Sequence, residues 1–311
     1  VAANAVAERR PGRWYERPWL HLVLGLLVAV LAVIWAGQRG TDGVRASLDA
    51  RLRNAGAGAD AALVTLEAEH LSALRAITFT AGVGESLARK DPKTLNRLVA
   101  PLQANSNVPM VDVILPSGAV ELAVRSKGAP APVASRAGMP AIVQAMREAR
   151  GSRGGRFTEL LIFRSGPTIV TIGPLMYARR PVGVVLVMTP LADALGRVSQ
   201  EVGANLTAYT TGGAPIATTA PFRPAAVDAD VAHSLIAGGA IGMRYVHGEE
   251  REALGRLILD RQADAVLGAS APDNSPATGR AVRLFAALGL IGAVLIFSSF
   301  WVRIANRRWP T

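Results

Sequence analysis

Two charge-free apolar runs near the ends of the sequence constrain this chain more than anything else in it. They are WLHLVLGLLVAVLAVIWA at 19–36 and LFAALGLIGAVLIFSSFWV at 284–302. Each is close to the roughly 20 residues that a helix rising about 1.5 Å per residue needs to cross a bilayer core. Tryptophans at their edges, Trp19, Trp35 and Trp301, suit rings held at the headgroup level. Arg9, Arg10, Arg13 and Arg17 precede the first run, and Arg303, Arg307 and Arg308 follow the second. Short arginine-rich flanks stay inside, so both ends are expected in the cytoplasm and everything from about Gln38 to Arg283 outside. The first run has the basic flank and small terminal residues of a signal peptide, but its length and tryptophan-bounded edges favour a retained anchor.

The formal charge of +11 does not point to nucleic acid. The four N-terminal arginines against Glu8 and Glu16 leave +2, the C-terminal three add +3, and the remaining +6 is scattered without a lysine-rich run. A scattered surplus is a solvated surface, so no nucleic-acid partner is expected. The absence of cysteine excludes disulfides, thiolate metal sites and thiol nucleophiles.

Between the runs the chain alternates helical and extended patterns. Residues 42–88 lack proline and read as one long helix leaving the membrane, locally weakened at Gly56 and Gly58. Leu63, Leu66, His70, Leu74, Ile77 and Ala81 recur at spacings of three and four, which places them on one face. His70 in that stripe reads as a partly buried structural histidine, since no second histidine or cysteine stands at ligand spacing. Asp91-Pro92 predicts a capped helix start, and MVDVILPSGAVELAVR at 110–125 predicts a hairpin. A proline-containing loop at 128–138 and a short helix at 140–150 follow. Residues 156–163 read as a strand, and TIVTIGPLMYARRPVGVVLVMTPLADAL at 168–195 as two β-branched strands, turning at 177–181, that run into a helix near Pro190. The pattern then begins again with LTAYTTGGAPIATT, a helical segment at 228–237, and three strands near 241–247, 252–259 and 263–271.

This order resembles the double Cache family of extracytoplasmic sensor domains: span, long helix, two PAS-like modules in tandem, span. The likeness rests on VDVILPSGAVELAV, GPTIVTIGPLMYARRPVGVVLVMTPLADAL and LTAYTTGGAPIAT, and covers most of residues 63–272. It implies an α+β fold with a long N-terminal helix and two modules built on antiparallel sheets, flanked by two transmembrane helices. The divisions are then a cytoplasmic segment 1–18, a span 19–37, long and connecting helices 38–104, a membrane-distal module 105–202, a membrane-proximal module 203–282, a span 283–302 and a cytoplasmic tail 303–311. The resemblance also implies a plasma-membrane receptor that works as a homodimer, binds a small molecule in the distal module and drives an output domain not contained in this sequence. That output would be a kinase, chemoreceptor, cyclase or phosphatase. The amino-acid-binding branch carries a constellation of Tyr, Arg, Trp-Tyr and Asp that is missing here, with no Trp between Trp35 and Trp301.

Catalytic patterns fail one by one. The sequence has no HExxH, GxSxG or P-loop, and its four histidines are far apart. Neither an enzyme nor a cofactor is expected in this chain. Candidate ligand contacts are Arg156, Thr158, Arg164 and Thr171, polar residues on otherwise apolar strands, whose arginines suit an anionic ligand. Tyr209, Arg244 and Tyr245 form a second candidate set in the proximal module. The competing function is a membrane-anchored envelope scaffold that binds proteins through its external domain.

Overall fold

The structure, a computed structural model, describes residues 18–149, 154–260 and 262–308, with 18–24, 262–264 and 295–308 described as backbone only. The arginine flank at 9–17 and the residues from 309 onward therefore lie outside the described residues. Two compact units emerge, one from the described residues up to Leu48 together with those from Asp273 onward, the other from Asp49–Pro272.

The first unit holds the opening part of helix α1 (Pro18–Phe79) and the last helix, α7 (Ser275–Arg308). Their approach is set by small residues. A methyl group at Gly279 would fall 2.3 Å from Thr41, and Gly37 and Gly40 lie against Arg283 and Val282. Arg45 Nε donates to Ser275 Oγ at 2.9 Å and stands 3.7 Å from the Asp273 carboxylate. Leu27, Leu31, Trp35, Leu284, Phe285 and Leu288 are exposed. Among the described residues one stretch, Ser275–Val294, is long and apolar enough to cross a membrane. Gly289 and Gly292 face open space, away from the helix crossing.

In the second unit α1 continues through Gly56 and Gly58 without a break. The predicted weakening costs about 1 kcal/mol per glycine, which packing offsets. Leu52 and Leu63 are fully buried, and Gly58 is where Val202 comes in close, 3.2 Å from where a methyl group would stand. The predicted helix to residue 88 divides at Gly82, whose φ of 86° turns the chain into α2 (Val83–Ala88) and leaves Ala81 exposed in the turn. Asp91 caps α3 (Pro92–Asn105), accepting from the Thr94 amide at 3.1 Å.

The first sheet contains β1 (Met110–Ile114), β2 (Val120–Arg125), β3 (Phe157–Phe163), β4 (Gly166–Tyr177) and β5 (Arg180–Pro190), ordered β2-β1-β5-β4-β3 and antiparallel throughout. Helix α4 (Pro140–Glu148) lies between β2 and β3 in sequence, and α5 (Leu191–Val202) leads out of β5. The second sheet repeats that order with β6 (Asn205–Tyr209), β7 (Pro215–Thr218), β8 (Gly242–His247), β9 (Glu250–Leu259) and β10 (Gln262–Pro272), as β7-β6-β10-β9-β8. Helix α6 (Ala229–Ile236) occupies the place of α4. The repeat extends to the turns. A side chain at Gly118 would strike the Ala137 backbone, and one at Gly213 the Val227 carbonyl, so in both modules the same glycine lets the following loop press onto the hairpin.

The pleat sorts side chains to opposite faces. In the first sheet Val111, Val113, Val185 and Val187 meet Leu74 and Ile77 of α1, while Met110, Ile114, Leu186 and Met188 meet Ile142 and Ala145 of α4. In the second, Leu206, Leu257 and Leu267 pack with Leu63 and Leu66 of α1 and Leu195 of α5, and Tyr209, Leu254 and Val266 pack under α6. One helix thus backs both sheets. It carries the apolar stripe read from the sequence, and His70 in that stripe is fully buried, where a partly buried residue was expected.

Candidate functional site

Alternation along β1 puts Asp112 on the α4 face between Met110 and Ile114, and it is wholly buried. Arg125, opposite Met110 in the register, faces the same way. Arg136 arrives from the loop before α4, where its amide is fixed by the Gly118 carbonyl. Arg125 Nη2 stands 2.5 Å from Asp112 Oδ1, and Arg136 donates from Nε to Oδ2 at 2.8 Å, with its Nη2 also 2.8 Å from that oxygen. The arginine side chains are 12% and 9% exposed. The Arg136 guanidinium also lies 4.4 Å from the Phe163 ring centre.

Two cations share one anion here, so the group carries a formal +1 in a nearly closed site. Arg125 Nη1 is satisfied by the Val111 and Val124 carbonyls, but its Nε is buried without an acceptor, and Asp112 Oδ1 has only the ion pair with Arg125 Nη2 and no aligned hydrogen bond. Burying charge without full compensation is expensive. A ligand anion would supply both the missing charge and the missing acceptor, and a carboxylate matches the guanidinium fork.

The proximal module has its own buried group, in contrast fully used. Tyr209 donates to Glu252 Oε1 at 2.7 Å, Arg244 Nε to Glu252 Oε2 at 2.8 Å, and Arg244 Nη2 to the Tyr209 hydroxyl at 2.9 Å. The remaining Arg244 donors hold the Ala225 and Ala226 carbonyls. Gly268 on the neighbouring strand β10 makes the room, since a methyl group there would overlap the Glu252 carboxylate. Burial pushes the Glu252 carboxyl above its ordinary range against the opposing pull of Tyr209 and Arg244. Burial and the neighbouring Glu252 charge also push the Tyr209 hydroxyl up, which keeps it a donor. Tyr245, predicted beside Tyr209 and Arg244, points outward and receives a hydrogen bond from Arg251 at 3.0 Å. Neighbours in a strand face opposite sides, so Arg244 and Tyr245 cannot share a pocket wall.

The other predicted residues divide in the same way. Thr158 and Thr171 are buried on the α1 face and lie 2.9 Å apart. Thr171 Oγ1 and Thr189 Oγ1 stand 3.2 and 2.8 Å from the two ring nitrogens of His70. Burial, helped by the Arg197 charge, holds the His70 imidazole down at about 4. Arg156 and Thr158 border a cleft of about 330 Å3 between α1, β3 and the β9–β10 turn. Arg164 sits exposed in the β3–β4 turn, at the opposite end of the strand from Arg156. The Asp112 group was missed. Its signal was a lone acid in the apolar strand MVDVI, which alternation sends inward with Met110 and Ile114. Among the described residues no cluster of three His, Asp or Glu side chains is suited to a metal ion.

No protein-family model matches the sequence, and no curated protein sequence is similar to it. Solved structures are similar in fold. The sensor domain of the V. cholerae histidine kinase DctB superposes with a TM-score of 0.50 at 11% identity, over 73% of this chain and 98% of that one. The ligand-binding domain of the Campylobacter jejuni chemoreceptor Tlp3, in complex with 4-methylisoleucine, gives 0.51 at 12% identity, over 76% and 93%. A domain of a putative sensory box/GGDEF family protein from Vibrio parahaemolyticus gives 0.51 at 10%, over 76% and 98%. At these identities the likeness is one of fold: a long helix and two PAS-like modules in tandem, the Cache-type arrangement of sensor domains.

Proposed function

We propose that this chain is the sensory input region of a bacterial transmembrane receptor. Its external domain binds a small carboxylate-bearing molecule in the first module and biases the helices that lead to the membrane. The observation that carries this reading is the Asp112, Arg125 and Arg136 group, buried with a surplus positive charge and an unused Arg125 Nε. The Tyr209, Glu252 and Arg244 group, by contrast, has its charges balanced and both carboxylate oxygens filled. The sensor domains that share the fold add the expectation of a small-molecule ligand.

The finer parts of the reading belong to the same proposal. Exposed apolar side chains on α1 and α7 support two membrane crossings, and the arginine-rich sequence flanks support cytoplasmic ends. In this proposal the receptor is a homodimer, the chain itself does no catalysis, and the output lies in a further domain. A ligand moves such a receptor only through unequal affinity for its two states. Closure of the loop bearing Arg136 over the ligand is the differential contact this reading assigns.

The test is a thermal-shift screen of residues 38–280 against mono- and dicarboxylates, amines, nucleobases and sugars, repeated with Arg136→Gln. Stabilisation by one or more carboxylates that is lost in the variant supports the reading. Stabilisation by no compound would favour the scaffold alternative, and stabilisation indifferent to Arg136→Gln would move the ligand elsewhere.

A further inference from the structure

Cations that stand far apart in the sequence meet at one end of the first module. Helix α2 lies on the end of the β4–β5 hairpin: a methyl group at Gly84 would strike the Met176 carbonyl, and Leu87 presses on Gly183. That contact brings Arg89 and Lys90, at the end of α2, and Lys93 and Arg97, one turn apart on α3, to the end of the module that holds Arg179 and Arg180 of the hairpin turn. All six are exposed. Residues 82–97 and 176–181 hold these six cations and two acids, Glu85 and Asp91, a net +4. Both acids are committed, since Glu85 pairs with Arg89 at 2.7 Å and Asp91 caps α3. Among the described residues Lys90, Lys93, Arg97, Arg179 and Arg180 form no ion pair.

The backbone is strained where it presents two of them. The hairpin turns through Ala178 and Arg179 with φ of 48° and 61°, a conformation that Asn-Gly adopts readily and a residue bearing a Cβ resists. Helix α2 ends with the Asp91 amide donating to the Ser86 carbonyl at 2.9 Å and the Lys90 amide to the Leu87 carbonyl at 3.0 Å. That pattern leaves Lys90 at a φ of 53°, in the place where glycine is usual. Five non-glycine residues among those described have positive φ, and Lys90, Ala178 and Arg179 are three of them. Neither turn needs a cation to form, and strain retained at such a position points to a use for the side chain. Tyr177, opposite Arg180 in the register, is exposed and adds a flat aromatic face.

We infer that this end of the module binds an anionic polysaccharide, a chain of sugar rings carrying repeated carboxylates. Exposed cations spread over two turns and a helix face match charges repeated along a chain, whereas one small anion needs its donors converged on a hollow. Two of the five unpaired cations are lysines, a residue depleted from protein–protein interfaces. The Tyr177 ring gives a sugar face a surface to stack on. The patch shares no residue with the Asp112 group, and the inference does not depend on that group's binding an anion.

The experiment uses the full chain in detergent micelles, with a fluorescently labelled alginate oligosaccharide as the probe. Poly-L-glutamate of matched charge is the acidic-polypeptide comparison and dextran the neutral sugar. Fluorescence anisotropy and thermal melts are recorded for the wild type, for Lys90→Gly combined with Arg179→Gly, and for Arg147→Gln combined with Arg223→Gln. The last pair removes the same charge from exposed positions elsewhere. Alginate is expected to bind more tightly than poly-L-glutamate, and dextran not to bind. The glycine pair is expected to weaken alginate binding about tenfold or more and to flatten its dependence on salt. Its melting temperature is expected to stay level or rise, because glycine relaxes both turns. The Arg147→Gln and Arg223→Gln pair is expected to bind alginate as the wild type does. No binding of alginate, equal weakening by the two pairs, or an unaffected glycine pair would overturn the inference. Poly-L-glutamate binding as tight as that of alginate and lost in the glycine pair would replace the polysaccharide with an acidic protein, and a lowered melting temperature of that pair would remove the strain on which the inference rests.

Discussion

Acid should expose the cost of burying His70. The imidazole is enclosed between Thr171 and Thr189, and its pKa in the folded chain is about 4 against an ordinary 6.5. Below pH 6.5 the unfolded chain takes up a proton that the folded chain refuses, so stability falls with pH until the folded ring also protonates near pH 4. Each unit costs about 1.4 kcal/mol, and the window of roughly 2.5 units amounts to about 3 kcal/mol. Asp60, Glu67, Glu250 and Glu252, whose carboxyls are raised chiefly by burial, act in the opposite direction as pH falls. Comparison of wild type with His70→Gln removes their common contribution. Urea unfolding of residues 38–280 between pH 7 and pH 4.5 should be followed by far-ultraviolet circular dichroism, because no Trp lies between Trp35 and Trp301. The variant is expected to be less stable at pH 7 and to lose about 2 kcal/mol less than wild type on acidification. Parallel pH curves for the two proteins would refute the argument that His70 is held neutral by burial.

Three further substitutions test the packing. Gly183→Ala puts a methyl group 2.3 Å from the Ile114 carbonyl oxygen and 2.5 Å from Leu87 in the middle of the first sheet, and should lower stability by about 1–3 kcal/mol in urea unfolding. Tyr209→Phe removes the donor to Glu252 and an acceptor for Arg244, and a loss of about 1–3 kcal/mol at pH 7 is expected by the same measurement. Leu74→Ala, at a fully buried position of α1 facing Gly173, should cost about 2–5 kcal/mol. A change below 1 kcal/mol there would mean that α1 is not the common backing of the sheets.

Local patterns in the sequence carried much of the fold. Runs of β-branched residues located β4 and β5, spacings of three and four located the buried stripe of α1, and Asp91-Pro92 located the start of α3. The two α1 glycines misled, because intrinsic propensity is a small term beside the packing of Leu52, Leu63 and Val202. The site was harder to read for a different reason. Arg136 lies in a proline-containing loop with no periodicity, 24 residues from the Asp112 it pairs with, and contacts of Gly118, Ala119 and Val120 with residues 134–137 bring the loop across. The predicted set Arg156, Thr158, Arg164 and Thr171 came from marking polar residues on strands without assigning faces. Register separates them: Thr158 and Thr171 turn toward His70, and Arg164 sits in the far turn.

In the proposed site a ligand carboxylate meets the unused donor of Arg125. The most direct measurement of that contact is calorimetric titration of the best carboxylate from the thermal screen into wild type, Arg125→Gln and Arg136→Gln. The account predicts that each variant weakens the dissociation constant about tenfold or more while keeping the wild-type circular dichroism spectrum. Binding of unchanged strength in both folded variants would contradict it.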